Sequence, residues 1–319
     1  MIWATWRQHR VEALIVAITL ALLAAVLIVT GTQMASAFQS LGVEPCLSPS
    51  DTNVNCSDII GTFRDQFGWL EAASGWLNML PALFAMLIGA PLVARELEQR
   101  THLLAWTQGV TRRRWLTTKL IFVIGGALLA AGILTALLMW WRGPFDQLGG
   151  RLAPSGFDFE GATPFAYMVF ALALAIAAGT LLRRAVPAMA VTLAGFLAVR
   201  LPIDSWARPY LYQTPITQNV TALSSAGPGR LDWQLDFGFV DHSGHALSSA
   251  QVFSTCAPPG TLSKIGVFQC VQAHGWLLSY VYQPADRFWR FQVTEALIYL
   301  ALTAALLALT YFWAQRRIR

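Results

Sequence analysis

"ARELEQRTHLLAWTQGVTRRRWLTTKL" (residues 94–120) lies between two long apolar runs and carries six basic and two acidic side chains. It is neither turn-like nor low in complexity, and it keeps a helical rhythm. Glu96 stands four residues before Arg100, the favourable order for a helical ion pair, and Arg95 stands three before Glu98. Leu97, Leu103, Leu104, Trp106 and Val110 give the stretch an apolar side. Gly109 is a stop signal and Thr111 a cap for the next helix. The connector therefore reads as a helix extension, a short amphipathic helix, a tight turn and a new helix.

The runs on either side define the class. The chain has 319 residues, of which 55% are hydrophobic and 12% charged; a soluble domain carries about 25% charged residues. The apolar residues cluster into six candidate spans, Ala13–Thr30, Trp76–Ala94, Leu120–Trp141, Phe165–Leu182, Ala185–Val199 and Ala296–Trp313. Crossing a bilayer takes about 20 residues, so the fifth, with Pro187 in its first turn, is the weakest. The fold class is an all-α integral membrane protein with six transmembrane helices.

Basic residues set the orientation. Thirteen of the 22 sit at Arg7 and Arg10, in the connector, at Arg183 and Arg184, and at Arg316, Arg317 and Arg319. These segments belong in the cytoplasm with both termini, and residues 1–12 form an amphipathic interfacial start. The first run stays as a span rather than a cleaved signal. The segments 31–75, 142–164 and 200–295 then lie outside. The basic residues of the chain gather in short segments beside the apolar runs rather than line one face, which argues against nucleic acid. No GxxxxGK[ST], HExxH or GxSxG occurs, so common nucleotide, zinc and hydrolase signatures are missing.

All four cysteines fall on the outer side, where thiols oxidise. The expected bridges are the local ones, Cys46 with Cys56 and Cys256 with Cys270, although spacing alone leaves connectivity open. In 231–239, Leu231, Trp233, Leu235, Phe237 and Phe239 alternate with mostly polar residues, a strand with one buried face. Asp241-His242-Ser243-Gly244 follows as a turn; no metal site is expected of Asp241, His242 and His245, which lack a fourth ligand at suitable spacing. The outer segment before the last span is thus a small extracellular mixed α/β cap.

Among the remaining polar residues, Glu295 opens the last span. It is expected either to pair with Arg290 or Arg200 or to act as an outer gate. Pro81 and Pro91 are expected to bend the second span. Gly125, Gly126 and Gly179 are read as close-packing positions, and Trp140, Trp141 and Trp289 as belt residues. The central portions of the spans hold no His, Asp or Glu, which disfavours an intramembrane enzyme.

The stretch "GAPLVARELEQRTHLLAWTQGVTRRRWLTTKL" resembles the second-span and coupling-helix region of ABC-2 type transporter permeases, especially actinobacterial ones with "LAWTQ-x-VTR-x-RW". "YQPADRFWRFQVTE" (282–295) is similar to the segment before their last span. Arg100 departs from the resemblance, standing where a Gly is usual. The resemblance implies a non-enzymatic permease subunit of an exporter in a bacterial plasma membrane. A separate ABC ATPase would bind ATP and Mg, and this chain would bind no cofactor directly. Glu96, Glu98, Arg100, Thr101, Leu104, Trp106, Thr107, Arg112, Arg113 and Arg114 would form the interface with that ATPase, and a second permease chain would complete the pathway. The competing reading is a membrane-anchored sensor or immunity protein whose cap binds a ligand.

Overall fold

A backbone inside hydrocarbon must satisfy its own N–H and C=O groups, so long apolar runs fold as helices. The computed structural model describes residues 2–47, 55–98, 112–222, 227–256 and 264–317. Within them, six helical segments are long and apolar enough to cross a membrane: Leu14–Ser40, Cys56–Gly89, Val123–Gly149, Thr163–Leu182, Ala185–Leu211 and Ala285–Trp313.

Several helices outrun the expected spans. Helix α1 (Ile2–Ser40) is continuous, with no break between an interfacial start and the first span. Residues 31–75, read as an outer loop, are mostly helical, because α1 runs on to Ser40 and α2 occupies Cys56–Ser74. The apolar side of α2 explains this: Phe63, Phe67 and Leu70 recur at helical spacing and are buried against Phe38 and Phe145. The third span belongs to α3 (Arg112–Gly149), which likewise carries helix into the second outer segment.

The second span is a composite. A 3-10 turn (Gly75–Met79), a short α-helix (Leu80–Phe84), a wide π-type turn (Ala85–Gly89) and α4 (Ala90–Glu98) follow one another. Pro91 explains the widening, since its ring conflicts with the carbonyl four residues back in a regular helix. The fifth span repeats the device. Helix α5 (Ala185–Pro202) passes into a π-type stretch, Ile203–Leu211, which contains Pro209. This extension makes the fifth span longer than the Ala185–Val199 read from the sequence.

The fourth span, α6 (Thr163–Leu182), is the buried hub, with alanines at positions 166, 171, 173, 175, 177 and 178 sealed from solvent. Small side chains let neighbouring backbones approach. At Gly179 a Cβ would stand 2.7 Å from the Ala90 carbonyl oxygen, so this close-packing position is used. Gly125 and Gly126 are not, because nothing lies within 4 Å of a Cβ at either. A second core joins α1, α2 and α3 at one end of the bundle, where Trp141 Nε1 donates to Thr30 Oγ1 at 2.8 Å. Trp141 is therefore buried rather than a belt residue, whereas Trp140 is half-exposed.

Between the fifth and sixth spans stands the mixed α/β unit. Strands β1 (Ile216–Thr221), β2 (Trp233–Val240), β3 (Ala246–Leu247) and β4 (Leu277–Gln283) form an antiparallel sheet in the order β1-β4-β2-β3. Helices α7 (Ser249–Cys256) and α8 (Lys264–Ala273) cover it and are joined by the Cys256–Cys270 disulfide. Cys46–Cys56 forms the other bridge. The register of β2 shifts between Gln234 and Asp236. Beyond the shift Phe237 and Phe239 share one face, their rings 5.4 Å apart, with Phe239 buried and Phe237 exposed beside Tyr280. The predicted turn forms, with Asp241 Oδ1 accepting from the Ser243 N–H and hydroxyl and from the His245 N–H. The Ser243 hydroxyl and then the His245 amide lower the Asp241 pKa to about 2.

Candidate functional site

The sixth span belongs to α9 (Phe288–Arg317). Two turns inside it, Glu295 is fully buried, and an unpaired charge there would be prohibitively costly. Two guanidiniums meet it. Arg208, from the π-type stretch of the fifth span, donates from Nε to Glu295 Oε2 at 2.9 Å and from Nη2 to Oε1 at 2.8 Å. Arg200, from the end of α5, donates to Oε1 at 3.0 Å. The Tyr167 hydroxyl of α6 adds a fourth donor at 2.6 Å.

A second carboxylate balances the pair. Asp158 lies in the buried stretch Phe157-Asp158-Phe159-Glu160 that leads into α6. It accepts from Arg208 Nη2 at 2.7 Å and from Arg200 Nη2 at 2.5 Å. Burial pushes its carboxyl up, but the guanidiniums of Arg208 and Arg200 outweigh burial and hold it below the usual carboxylate range. Asp204 joins at the rim, 2.6 Å from Arg208. The guanidiniums also lie over aromatic rings, Arg200 over Tyr167 at 4.0 Å and Arg208 over Phe157 at 4.3 Å.

The same stretch ties into a second ionic group. Glu160 accepts from Arg151 at 3.3 Å, and Arg142, beneath Phe159, contacts Asp146 at 3.4 Å and Glu71 at 3.6 Å. Gln292 of α9 completes the joint. Its Oε1 accepts from the Ala162 and Thr163 N–H groups at the start of α6, and its Nε2 donates to the Phe157 carbonyl. Gln283, at the end of β4, donates to the Pro209 and Gln213 carbonyls. The sheet unit is thus bonded directly to the ends of the fifth and sixth spans. Nothing in the cluster is a nucleophile beside a free base: every carboxylate faces a guanidinium. Its chemistry is clamping, and three spans and the α/β unit share it.

Of the expected site residues, Glu295 is joined by Arg200, while Arg290 is exposed. Arg208, Asp158 and Tyr167 are partners that sequence reading missed. The missed signal was charge within apolar surroundings: Arg208 lies eight residues past Arg200, and Asp158 sits between two phenylalanines. The coupling residues Arg100, Thr101, Leu104, Trp106 and Thr107 lie outside the described residues. Glu96 falls within α4, and Arg112, Arg113 and Arg114 open α3. Glu98 makes a contact, its Oε2 accepting from the Ala185 N–H at 3.3 Å. It therefore meets the N-terminus of α5, just after the corner where Arg183 adopts a left-handed φ of 55°. The three ligand-type side chains Cys256, Cys270 and His274 converge, but both sulfurs are consumed by the disulfide.

No curated protein and no solved structure matches this chain. The family described as "ABC-2 membrane transporter related" matches residues 17–208, more than half of the sequence. The match takes in the first five spans and the connector, and it closes on Arg208 of the buried clamp. With six candidate spans and a match of this extent, the chain belongs to the ABC-2 membrane transporter related family, as the membrane subunit of a transporter.

Proposed function

We propose that this chain is the permease of an ATP-driven ABC-2 exporter in a bacterial plasma membrane. Both termini and the connector at 95–119 face the cytoplasm, and the α/β unit forms an extracellular cap. A separate ABC ATPase binds ATP and Mg and docks on the connector, through Glu96, Glu98 and the residues from Arg100 to Arg114 already named. A second permease chain completes the pathway.

The observation that carries this reading is the family match across 17–208, because it includes the connector together with the spans that flank it. Two features of the fold support a mechanical role. Glu98 reaches from the start of the connector to the first residue of α5, giving a push a short route into the fifth span. The π-type turns at Ala85–Gly89 and Ile203–Leu211 interrupt the second and fifth spans, where a regular helix would resist bending. The clamp of Asp158, Arg200, Arg208 and Glu295 ties the fourth, fifth and sixth spans and the cap at one end, so motion entering at the connector is delivered to them together.

The test is purification of the chain in mild detergent from its own cell, beside a Glu96→Arg, Trp106→Asp variant. The expected result is a Walker-motif ATPase at near-equal stoichiometry with the unaltered chain and none with the variant, while both melt at the same temperature. A chain that purifies alone, or whose ATPase ignores the variant, would overturn the coupling assignment.

A further inference from the structure

An apolar groove of about 420 Å³ runs between the first, second and third spans, walled by Ile15, Thr19, Leu23, Leu83, Leu87 and Leu134 among others. From Ile15 to Leu23 it follows α1 for about 12 Å, at the rise of a helix. Leu83, Leu87 and Ile15 are exposed, so the groove opens sideways at membrane depth. At one end it adjoins a smaller cavity of about 40 Å³, since Leu80, Ala131, Leu134 and Met168 line both.

The small cavity is where the lining changes character. Asn78, Thr135, Asp158 and Tyr167 contribute polar groups to its wall. Asp158 and Tyr167 are already engaged by the clamp. Thr135 is not: it is 6% exposed, and its hydroxyl has no hydrogen-bond partner among the described residues. Other buried threonines of the bundle behave differently. Thr180, Thr192, Thr303 and Thr310 each donate to the carbonyl four residues back, at 2.7–2.8 Å. The Asn78 carboxamide, half-buried across the same cavity, likewise has no hydrogen-bond partner among the described residues. An unpartnered hydroxyl that opens on a cavity is left to be met by whatever occupies that cavity.

We infer that the groove and its end cavity bind a single-chain amphiphile from the bilayer, with the hydrocarbon along the groove and an uncharged polar head on Thr135 and Asn78. The head is an alcohol, ester or amide, because the two unmet side chains are neutral and the carboxylate of the cavity is compensated by Arg200 and Arg208. A bilayer source follows from the sideways opening, which admits molecules already dissolved in hydrocarbon. Binding is what the geometry assigns, and it holds whether or not the exporter reading does.

The experiment uses the full chain in phosphatidylglycerol nanodiscs with three photoactivatable probes. These are a monoacylglycerol with a diazirine in its chain, the same chain without a head, and the corresponding lysophosphatidylglycerol. Adducts are mapped by peptide mass spectrometry. Monoacylglycerol is expected to concentrate on 15–23, 80–88 and 130–138, to be displaced by unlabelled monoacylglycerol, and to label more than lysophosphatidylglycerol. Thr135→Val should lower its labelling about fivefold, the weight of one net hydrogen bond. Thr135→Ser should retain the labelling, and the headless chain should be indifferent to both variants. Leu20→Trp, which fills the groove, should suppress all three probes. Even labelling of the exposed sides at Leu129, Val186 and Leu297 would overturn the proposal. So would indifference of monoacylglycerol to Thr135→Val, an equal loss for the headless chain, or chain-to-chain adducts across the groove in place of lipid adducts.

Discussion

Glu295 shows what one side chain can bring about in this fold. Alone it is a carboxylate in an apolar helix; with Arg200, Arg208 and Tyr167 it becomes the centre of a clamp. Replacing Glu295 by Ala leaves two guanidiniums facing a single fully buried carboxylate. The expected cost is about 3–5 kcal/mol, the usual result of breaking a buried pair from one side. The check is a thermal melt followed by fluorescence-detected size exclusion, in which Glu295→Ala should aggregate well below the parent chain and Asp286→Ala, at an exposed site, should not. Equal melting would mean that the clamp contributes nothing. Sequence reading reached Glu295 and Arg200 because charge beside a span is rare enough to stand out. Arg208 and Asp158 escaped it because the contacts that bury them span long separations, 87 residues from Arg208 to Glu295 and 50 from Asp158 to Arg208. A one-dimensional pattern records spacing along a helix, not which distant helix faces it.

At the scale of elements, prolines and bridges do most of the shaping. Pro91 was readable as an interruption, but whether it would kink, widen or end its helix depended on packing around it, and Pro209 lay outside the expected fifth span. The small-residue positions divide in the same way: Gly179 meets the Ala90 backbone, and Gly125 and Gly126 meet nothing. The alternation of 231–239 correctly announced a strand, but not the register shift between Gln234 and Asp236, nor that Phe239 would be buried and Phe237, on the same face, exposed. In the α/β unit, the Cys256–Cys270 bridge closes a 14-residue separation between α7 and α8. Opening a loop of that size costs about 3 kcal/mol in the chain-entropy account. The Cys256→Ser, Cys270→Ser variant should therefore be cut faster by an external protease in the 249–273 region, with the six spans left intact on the gel. Unchanged cutting would show that the sheet holds α7 and α8 without the bridge.

The molecule as a whole is a bundle around α6 with the α/β unit riding on its fifth and sixth spans. The proposed orientation makes a prediction at this scale. The four native cysteines are all in disulfides, so single new cysteines report position cleanly. With a membrane-impermeant maleimide on intact cells, Gln251→Cys in α7 should label and Gln108→Cys in the connector should label only after lysis; the reverse pattern would invert the topology. Composition and the six apolar runs were enough to establish a six-span membrane protein with a mixed unit before the last span. The reason is that hydrocarbon imposes length and apolarity on every crossing segment, and both are written locally in the chain. The clamp, the engaged glycine and the groove with its unmet Thr135 hydroxyl were decided only by tertiary structure. Each depends on which faces of helices distant in sequence come together, and burial prices polar groups only once that choice is made.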